Sequence, residues 1–339
     1  MLERGDVEGK KWTCNLSILF IADGAGGSEV IKAIVNCGIK DDIEVMSCSQ
    51  HSSEILGLGI TPKMRALGRA LSSDYKLVVS ERSNGIKFHS ELTKRCIENS
   101  IKNLVLTDYC TGCVEHYKGI LPDIPTAVTA VTKESKDLLV KRGVDESNIY
   151  MLGNPAYDGV KGIEYKRGYS KEPRVLYVSQ GGQGNINSLE NMSEFNKLYL
   201  ELFKIFDKFT LDVKLHPMEE SERCNWDNVS KFFSNVNILP KCLGEVFVKE
   251  NISNYDIITG RNSTLQVKSK MIGIPTIMLK DENLRLRLIE YKCNNFINIK
   301  QPCEDIIVLD DLSLFVNDML NKIINGGSQL DKDSRRYMH

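Results

Sequence analysis

Residues Asn254-Tyr-Asp-Ile-Ile-Thr-Gly-Arg-Asn-Ser-Thr-Leu-Gln-Val-Lys-Ser-Lys-Met-Ile-Gly-Ile-Pro-Thr-Ile-Met-Leu279 decide the fold. The apolar run Ile257-Ile258 stops at Thr259-Gly260, and a turn holds Asn262, Ser263 and Thr264. An amphipathic segment then runs to Gly273, where Ile274-Pro275 opens a second apolar run. That order is strand, turn, helix, strand. In a parallel α/β sheet such a turn leads from a strand's carboxyl end into a helix whose first N–H groups lack intrahelical partners. Ser263 and Thr264 fall at or beside the N-cap, where hydroxyls and free amides favour an anion such as a phosphate. The same residues also suit a plain helix cap.

Working back from this stretch, the same rhythm recurs. Arg174-Val-Leu-Tyr-Val-Ser-Gln180 reads as a strand ending in the glycine turn Gly181-Gly-Gln-Gly-Asn185, and residues 190–207 as a long helix. Leu211-Asp-Val-Lys-Leu215 is a strand that delivers His216-Pro217, and Asn235 to Leu239 is a further strand. Val246 to Ile252 reads as a helical connection. Three strand ends thus present Gln180 with its glycines, His216, and the Ser263-Thr264 turn, and their recurrence favours one shared ligand. Residues 310–325 form a closing amphipathic helix.

The first half repeats the scheme. Leu16 to Ala22 is a buried strand that breaks at Asp23-Gly-Ala-Gly-Gly-Ser28 before an apolar pattern of helical spacing over 29–35. Gly24, Gly26 and Gly27 fall short of a dinucleotide fingerprint, because no third glycine stands at the required place. A loop without side chains lets a ligand approach the backbone, and it equally makes a tight turn. Strands follow at 43–47, 75–80, 103–107 and 124–132, with helices at 61–71, 86–100 and 133–143. The loop Asp108-Tyr-Cys-Thr-Gly-Cys-Val-Glu-His-Tyr117 follows the strand at 103–107 and is the densest titratable group of this half. Asp108, Glu115 and His116 stand where an acid or base is useful. Residues 159–173 lack an apolar period and read as a linker.

The 339 residues suit two α/β domains of about 150 residues each. With 26% charged and 42% apolar residues the chain is an ordinary globular protein. Its net charge of −1 argues against broad nucleic-acid binding. Ten cysteines lie scattered in or near apolar runs and read as reduced core residues. Cys110 and Cys113 have metal-ligand spacing, but no second pair completes a zinc set. No stretch reaches the roughly 20 apolar residues of a membrane span, and residues 1–17 lack a signal-peptide core. The expectation is a soluble cytoplasmic protein without a metal.

Two stretches carry a family resemblance. Val128-Thr-Ala-Val-Thr-Lys-Glu-Ser-Lys-Asp-Leu-Leu-Val-Lys-Arg-Gly-Val144, with Asn148 to Asp158, resembles the segment before the interdomain crossover of the GT-B superfamily. That superfamily comprises sugar transferases and the non-hydrolysing UDP-N-acetylglucosamine 2-epimerases. Lys214-Leu-His-Pro217, Asn262-Ser-Thr264 and Gly273-Ile-Pro275 are similar to the His-Pro and Ser/Thr motifs of its bacterial polysaccharide branch. The likeness covers most of residues 16–325.

The resemblance implies an α/β protein of two Rossmann-like domains facing a cleft. Residues 1–160 would take the acceptor and 173–309 the nucleotide-sugar donor, with 310–339 as closing helix and tail. His216 would contact donor phosphate or ribose, and Ser263 and Thr264 the phosphate. Arg261, Asn262 and the Gln180, Gly181 and Gly182 loop would complete the donor site. The acceptor, a glycan or a lipid-linked molecule, would lie against Asp23, Gly24, Gly26, Gly27 and the 108–117 loop. Asp108, Glu115 or His116 would be the base. The implied donor is UDP- or CMP-linked, with no cofactor or metal, at most peripheral membrane contact, and an oligomer compatible with the pattern. Gln266 and Lys268 replace the acidic residue that binds the sugar in many relatives, which weighs against epimerisation. A 2-epimerase or hydrolase on the same fold, and a non-catalytic nucleotide-binding homologue, are the alternatives.

Overall fold

The computed structural model describes residues 18–72, 75–81, 86–108, 124–160, 163–165, 170–179, 188–216, 219, 223–240, 244–261, 263–279, 284–294, 309 and 311–325. The chain divides into two compact units, Met1–Pro155 with Ile306–His339, and Ala156–Asp305.

In the first unit a six-stranded parallel sheet has the order β2-β1-β3-β4-β5-β6. Its strands are Ile18–Ala22 (β1), Ile43–Ser47 (β2), Leu77–Glu81 (β3), Asn103–Leu106 (β4), Ala127–Ala130 (β5) and Ile149–Met151 (β6). The strands β1, β3, β4 and β5 are buried at every position, as strands covered on both faces should be. Helices Ala25–Asn36 (α1), Gln50–Leu56 (α2), Lys63–Ala70 (α3), Ile86–Glu98 (α4) and Lys133–Lys141 (α5) supply the crossovers. On one face Leu19, Ile21 and Val78 meet Ala66, Ala70, Leu92 and Cys96 from α3 and α4. Burying each large aliphatic side chain is worth roughly 1.5–3 kcal/mol.

The closing helix Leu312–Asn325 (α11) also belongs to this unit. Asn317 accepts from the Lys40 amide at 3.0 Å and donates to Gly38 O at 3.1 Å, and Lys102 Nζ donates to Ile324 O at 2.7 Å.

The second unit holds a five-stranded parallel sheet, order β11-β10-β7-β8-β9. Its strands are Arg174–Val178 (β7), Thr210–Lys214 (β8), Val236–Ile238 (β9), Ile257–Gly260 (β10) and Thr276–Met278 (β11). Helices Ser188–Ile205 (α6), Arg223–Phe232 (α7), Gly244–Asn251 (α8), Thr264–Met271 (α9) and Leu284–Asn294 (α10) flank it. One face packs Tyr177, Phe195 and Trp226, with the Phe195 and Trp226 rings edge to face at 5.5 Å. The other packs Leu176 and Ile258 against Phe247 and Leu265.

The amino ends of this sheet are tied by charge. Asp212, fully buried, accepts from Arg174 Nη2 at 2.6 Å, Tyr255 Oη at 2.9 Å and Asn237 Nδ2 at 2.7 Å. Four hydrogen bonds from these three residues satisfy a carboxylate that otherwise has no water.

Both sheets reverse direction once. The first turns between β1 and β3, the second between β7 and β10. At such a switch point the two following connections leave on opposite faces, and the crevice beyond the carboxyl ends is open to a ligand.

Candidate functional site

In the second unit the switch point is flanked by the ends of β7, β8 and β10. At β10 the chain turns through Arg261 and enters α9 with Ser263 as N-cap. The Ser263 hydroxyl accepts from Leu265 N at 3.2 Å, and the Ser263 amide donates to Gln266 Oε1 at 2.9 Å. This reciprocal capping commits Ser263 to the helix. Thr264, one residue on, makes no hydrogen bond from its hydroxyl or amide among the described residues, and it is only partly buried. Ser263 caps the helix, and Thr264 stands beside it at the positive end.

Gln266 shows why an acid is absent here. It is buried, and its Nε2 donates to Gly260 O at 3.1 Å and to Ile277 O at 3.2 Å. A carboxylate cannot donate to two carbonyls. The amide clamps β10 to β11. Lys268 is also buried, within α9.

His216 stands two residues past the end of β8, partly exposed. Its amide donates to Glu219 Oε2 at 3.0 Å, so the backbone here is fixed by a carboxylate three residues ahead. Arg261 is engaged by α6: its Nε donates to Glu194 Oε1 at 2.5 Å and its Nη2 lies 3.4 Å from Glu190 Oε2. Its charge is thus shared with two carboxylates of the same unit.

In the first unit the switch point is built around Glu81, a fully buried acid at the end of β3. Glu81 accepts the Asp23 amide at 2.8 Å and the Gly24 amide. The Gly24 amide is that of the N-cap of α1 and the Asp23 amide precedes it, so the protein's own carboxylate stands at the positive end of the helix. The helix begins at Ala25, through the glycines, and not after them at Glu29 as the apolar pattern suggests. The reason is visible at the glycines. A Cβ on Gly27 would stand 2.2 Å from Glu81 Oε2, and one on Gly26 would stand 2.2 Å from Asp108 Oδ2. The two bare positions admit two carboxylates to the first turn of α1.

Asp23 is 8% exposed and its carboxylate is held by Lys63 Nζ at 2.5 Å, with His89 Nε2 at 4.0 Å. Lys63 also lies over the Phe88 ring, 5.4 Å from its centre. Asp108 is presented by β4, whose end is stapled to β5: Thr107 N donates to Thr129 Oγ1 at 2.9 Å, and Thr107 Oγ1 to Thr129 O at 2.8 Å. Asn154 Nδ2 donates to Asp108 O at 2.7 Å. Loss of water around it pushes the Asp108 carboxyl up to about 6, with Glu29 adding repulsion.

Glu115, His116, Cys110, Cys113, Gln180, Gly181, Gly182 and Asn262 lie outside the described residues. Glu81, Lys63 and Glu219 do not emerge from the motif reading. Glu81 and Glu219 share one signal, a charged residue at or within five residues of a strand's carboxyl end, and Lys63 is the first residue of α3. Burial pushes the Cys48 and Cys96 thiols up to about 12, so neither is a nucleophile at neutral pH. Among the described residues, no His, Cys, Asp and Glu cluster is arranged to hold a metal, and no helix is long and apolar enough to cross a membrane.

No protein-family model and no curated protein matches the chain. Solved structures do. UDP-N-acetylglucosamine 2-epimerase from Rickettsia bellii is 10% identical, with 92% of this chain and 97% of that one aligned at a TM-score of 0.63. The Methanocaldococcus jannaschii UDP-GlcNAc 2-epimerase, in complex with UDP-GlcNAc and UDP, is 14% identical over 93% and 94%, at 0.59. Anabaena HepE, in complex with UDP and glucose, is 12% identical over 93% and 94%, at 0.54. At these identities the likeness is one of fold. The chain has the α/β GT-B fold of two Rossmann-like domains.

Proposed function

We propose that the chain is a glycosyltransferase that moves a sugar from a nucleotide-sugar donor to an acceptor hydroxyl, in the synthesis of a surface polysaccharide or glycoconjugate. The observation that carries the reading is Asp108. It is a carboxyl at a strand's carboxyl end beside a sheet switch point, and its loss of proton near pH 6 suits a base working at neutral pH. Asp108 takes the acceptor hydroxyl proton, in a first unit that receives the acceptor near Asp23, Gly24, Gly26 and Gly27. In the second unit the Thr264 amide and hydroxyl, with His216, hold the donor phosphates and stabilise the charge that builds on the leaving nucleotide. The UDP bound in the Methanocaldococcus and Anabaena structures supports a uridine nucleotide. The remaining candidates, Glu115, His116, Gln180, Gly181, Gly182, Arg261, Asn262 and Ser263, whose hydroxyl keeps its hydrogen to donate, complete the same two sites. The free Cys37, Cys48, Cys96 and Cys293 support a reducing, cytoplasmic setting.

A second reading, 2-epimerisation of the nucleotide sugar, is favoured by one observation: Glu81 and Asp108 lie on adjacent glycines of one helical turn. Two carboxyls so placed suit removal and return of a proton. The engaged Gln266 weighs the other way. Incubation with UDP- and CMP-sugars, following nucleotide release with and without acceptor, separates the readings. A transferase releases nucleotide in an acceptor-dependent manner. An isomerised nucleotide sugar with no release, or release of free sugar whether or not acceptor is present, removes the transferase reading.

A further inference from the structure

The structure assigns Glu219 as the positioning residue for His216, an assignment that rests on the donor-phosphate role proposed for that histidine. Glu219 is 1% exposed, so its carboxylate has essentially no water. Three donors from three elements converge on it. Ser179 Oγ, just past β7, donates to Oε1 at 2.8 Å. Asn191 Nδ2, from the first turn of α6, donates to the same oxygen at 2.8 Å. The His216 amide, past β8, donates to Oε2 at 3.0 Å, while the Glu219 amide returns a bond to His216 O at 2.8 Å. Ser179 N also donates to Lys214 O at 3.0 Å, so the end of β7 and the His216 loop are bound twice.

A carboxyl group serves all three donors at once, since it offers acceptors on both oxygens. A glutamine of the same length presents an NH₂ to at least one donor. Because Ser179 and Asn191 can reorient and a backbone amide cannot, a glutamine keeps its oxygen on the His216 amide and turns its NH₂ to the Ser179 hydroxyl, so only removal of the carboxyl, as in Glu219→Ala, breaks the link to His216. The three partners belong to the ends of β7 and β8 and to α6, all at the switch-point side of the sheet. Glu219 touches no ligand itself. It sets where His216 stands relative to the β7 end, and a shift near 1 Å in such a group costs on the order of a hundredfold in rate.

The test uses the whole chain with Glu219→Ala, Glu219→Gln, His216→Ala and the Glu219→Ala/His216→Ala double variant. Hydrogen exchange is followed at the His216 amide, which needs no ligand. Nucleotide release from the UDP- or CMP-sugar that wild type turns over gives the second readout. In Glu219→Ala the His216 amide exchanges at least tenfold faster while amides of β10 keep their protection, which shows that the fold persists, and Glu219→Gln, which keeps an oxygen for that amide, restores most of the protection. Release from Glu219→Ala falls by about a hundredfold and KM for the donor rises in the same direction as in His216→Ala, and the double variant is no slower than His216→Ala alone. Unchanged exchange at His216 in Glu219→Ala overturns the assignment. So does a double variant whose losses multiply, because Glu219 then acts independently of His216. If wild type turns over no nucleotide sugar, the functional proposal fails, and the exchange result still decides whether Glu219 holds His216.

Discussion

The Asp108 carboxylate occupies the space above Gly26: a Cβ there would lie 2.2 Å from Oδ2 and 3.2 Å from Cγ. A bare helical turn and a tuned acid are thus a single feature. Gly26→Ala forces the outer end of the aspartate to move while adding a better helix former, worth up to about 1 kcal/mol. The expected outcome is a melting temperature close to wild type and acceptor-dependent turnover reduced on the order of 10²-fold, as for Asp108→Asn.

Gly27 behaves differently. A Cβ there meets not only Glu81 Oε2 but also Glu81 Cδ at 2.3 Å and Cβ at 2.4 Å, so no rotation of the acid relieves the clash. Gly27→Ala should lose about 1–3 kcal/mol or more by overpacking. Urea denaturation of the two alanine variants side by side measures the contrast, and equal midpoints would falsify the packing argument.

Asp108 also gives a pH signature. Its carboxyl ionises near 6 in the folded chain, against roughly 3.9 when unfolded. Between these values the folded state holds the extra proton, so stability falls as pH rises from about 4 to about 6. The contribution is fully present below the lower value and lost above the upper one, and two pH units correspond to at most about 3 kcal/mol. Asp108→Asn removes this slope, which denaturation curves at pH 4, 5, 6 and 7 resolve.

Gln266→Glu replaces the NH₂ that bonds Gly260 O and Ile277 O by an oxygen facing two carbonyls. Leaving buried acceptors unpaired costs roughly 1–3 kcal/mol, and a carboxylate beside them adds to it. The variant should be destabilised by about 3 kcal/mol at pH 8 and less at pH 5, where a protonated acid donates again. Guanidinium titrations at both pH values check the direction. A variant as stable as wild type at pH 8 contradicts the clamp.

At the opposite end of that sheet, Asp212→Ala leaves the Arg174 guanidinium beside an empty site, though Arg174 is partly exposed and can reach water. The loss of Tyr255 and Asn237 bonds remains. Chemical denaturation should show a loss of about 3 kcal/mol, with nucleotide binding retained in the folded fraction.

The parallel architecture was legible because buried strands such as Ile18–Ala22 and Leu77–Glu81 are nearly unbroken apolar runs. Three helices were not. Gln50–Leu56 buries only Ser52 and is held by the Ser49 capping box, so it has no apolar stripe to read. In Leu284–Asn294, Leu284-Arg-Leu-Arg-Leu288 alternates like a strand, yet the helix buries Leu284, Leu288 and Tyr291, four and three residues apart. In Arg223–Phe232 a polar sequence hides the buried anchors Trp226 and Val229, three residues apart. The sites were half legible. His216, Thr264 and Asp108 stand at strand ends that periodicity locates. Glu81 and Glu219 act through bonds to backbone amides 58 and three residues away, and no local pattern records such partners. His89, 2% exposed beside Asp23, is part of that buried cluster, so His51, partly exposed on α2, is the histidine whose loss should leave function alone.

Titration calorimetry with UDP and CMP on wild type, His216→Ala, Thr264→Val and His51→Ala tests the central claim, a nucleotide phosphate held at the carboxyl ends of β8 and β10. Wild type and His51→Ala should bind one of the two nucleotides with the same affinity, and His216→Ala and Thr264→Val should each bind about tenfold or more weakly, the loss of one charge-assisted phosphate contact. Failure of wild type to bind either nucleotide, or equal affinity in all four proteins, contradicts the account.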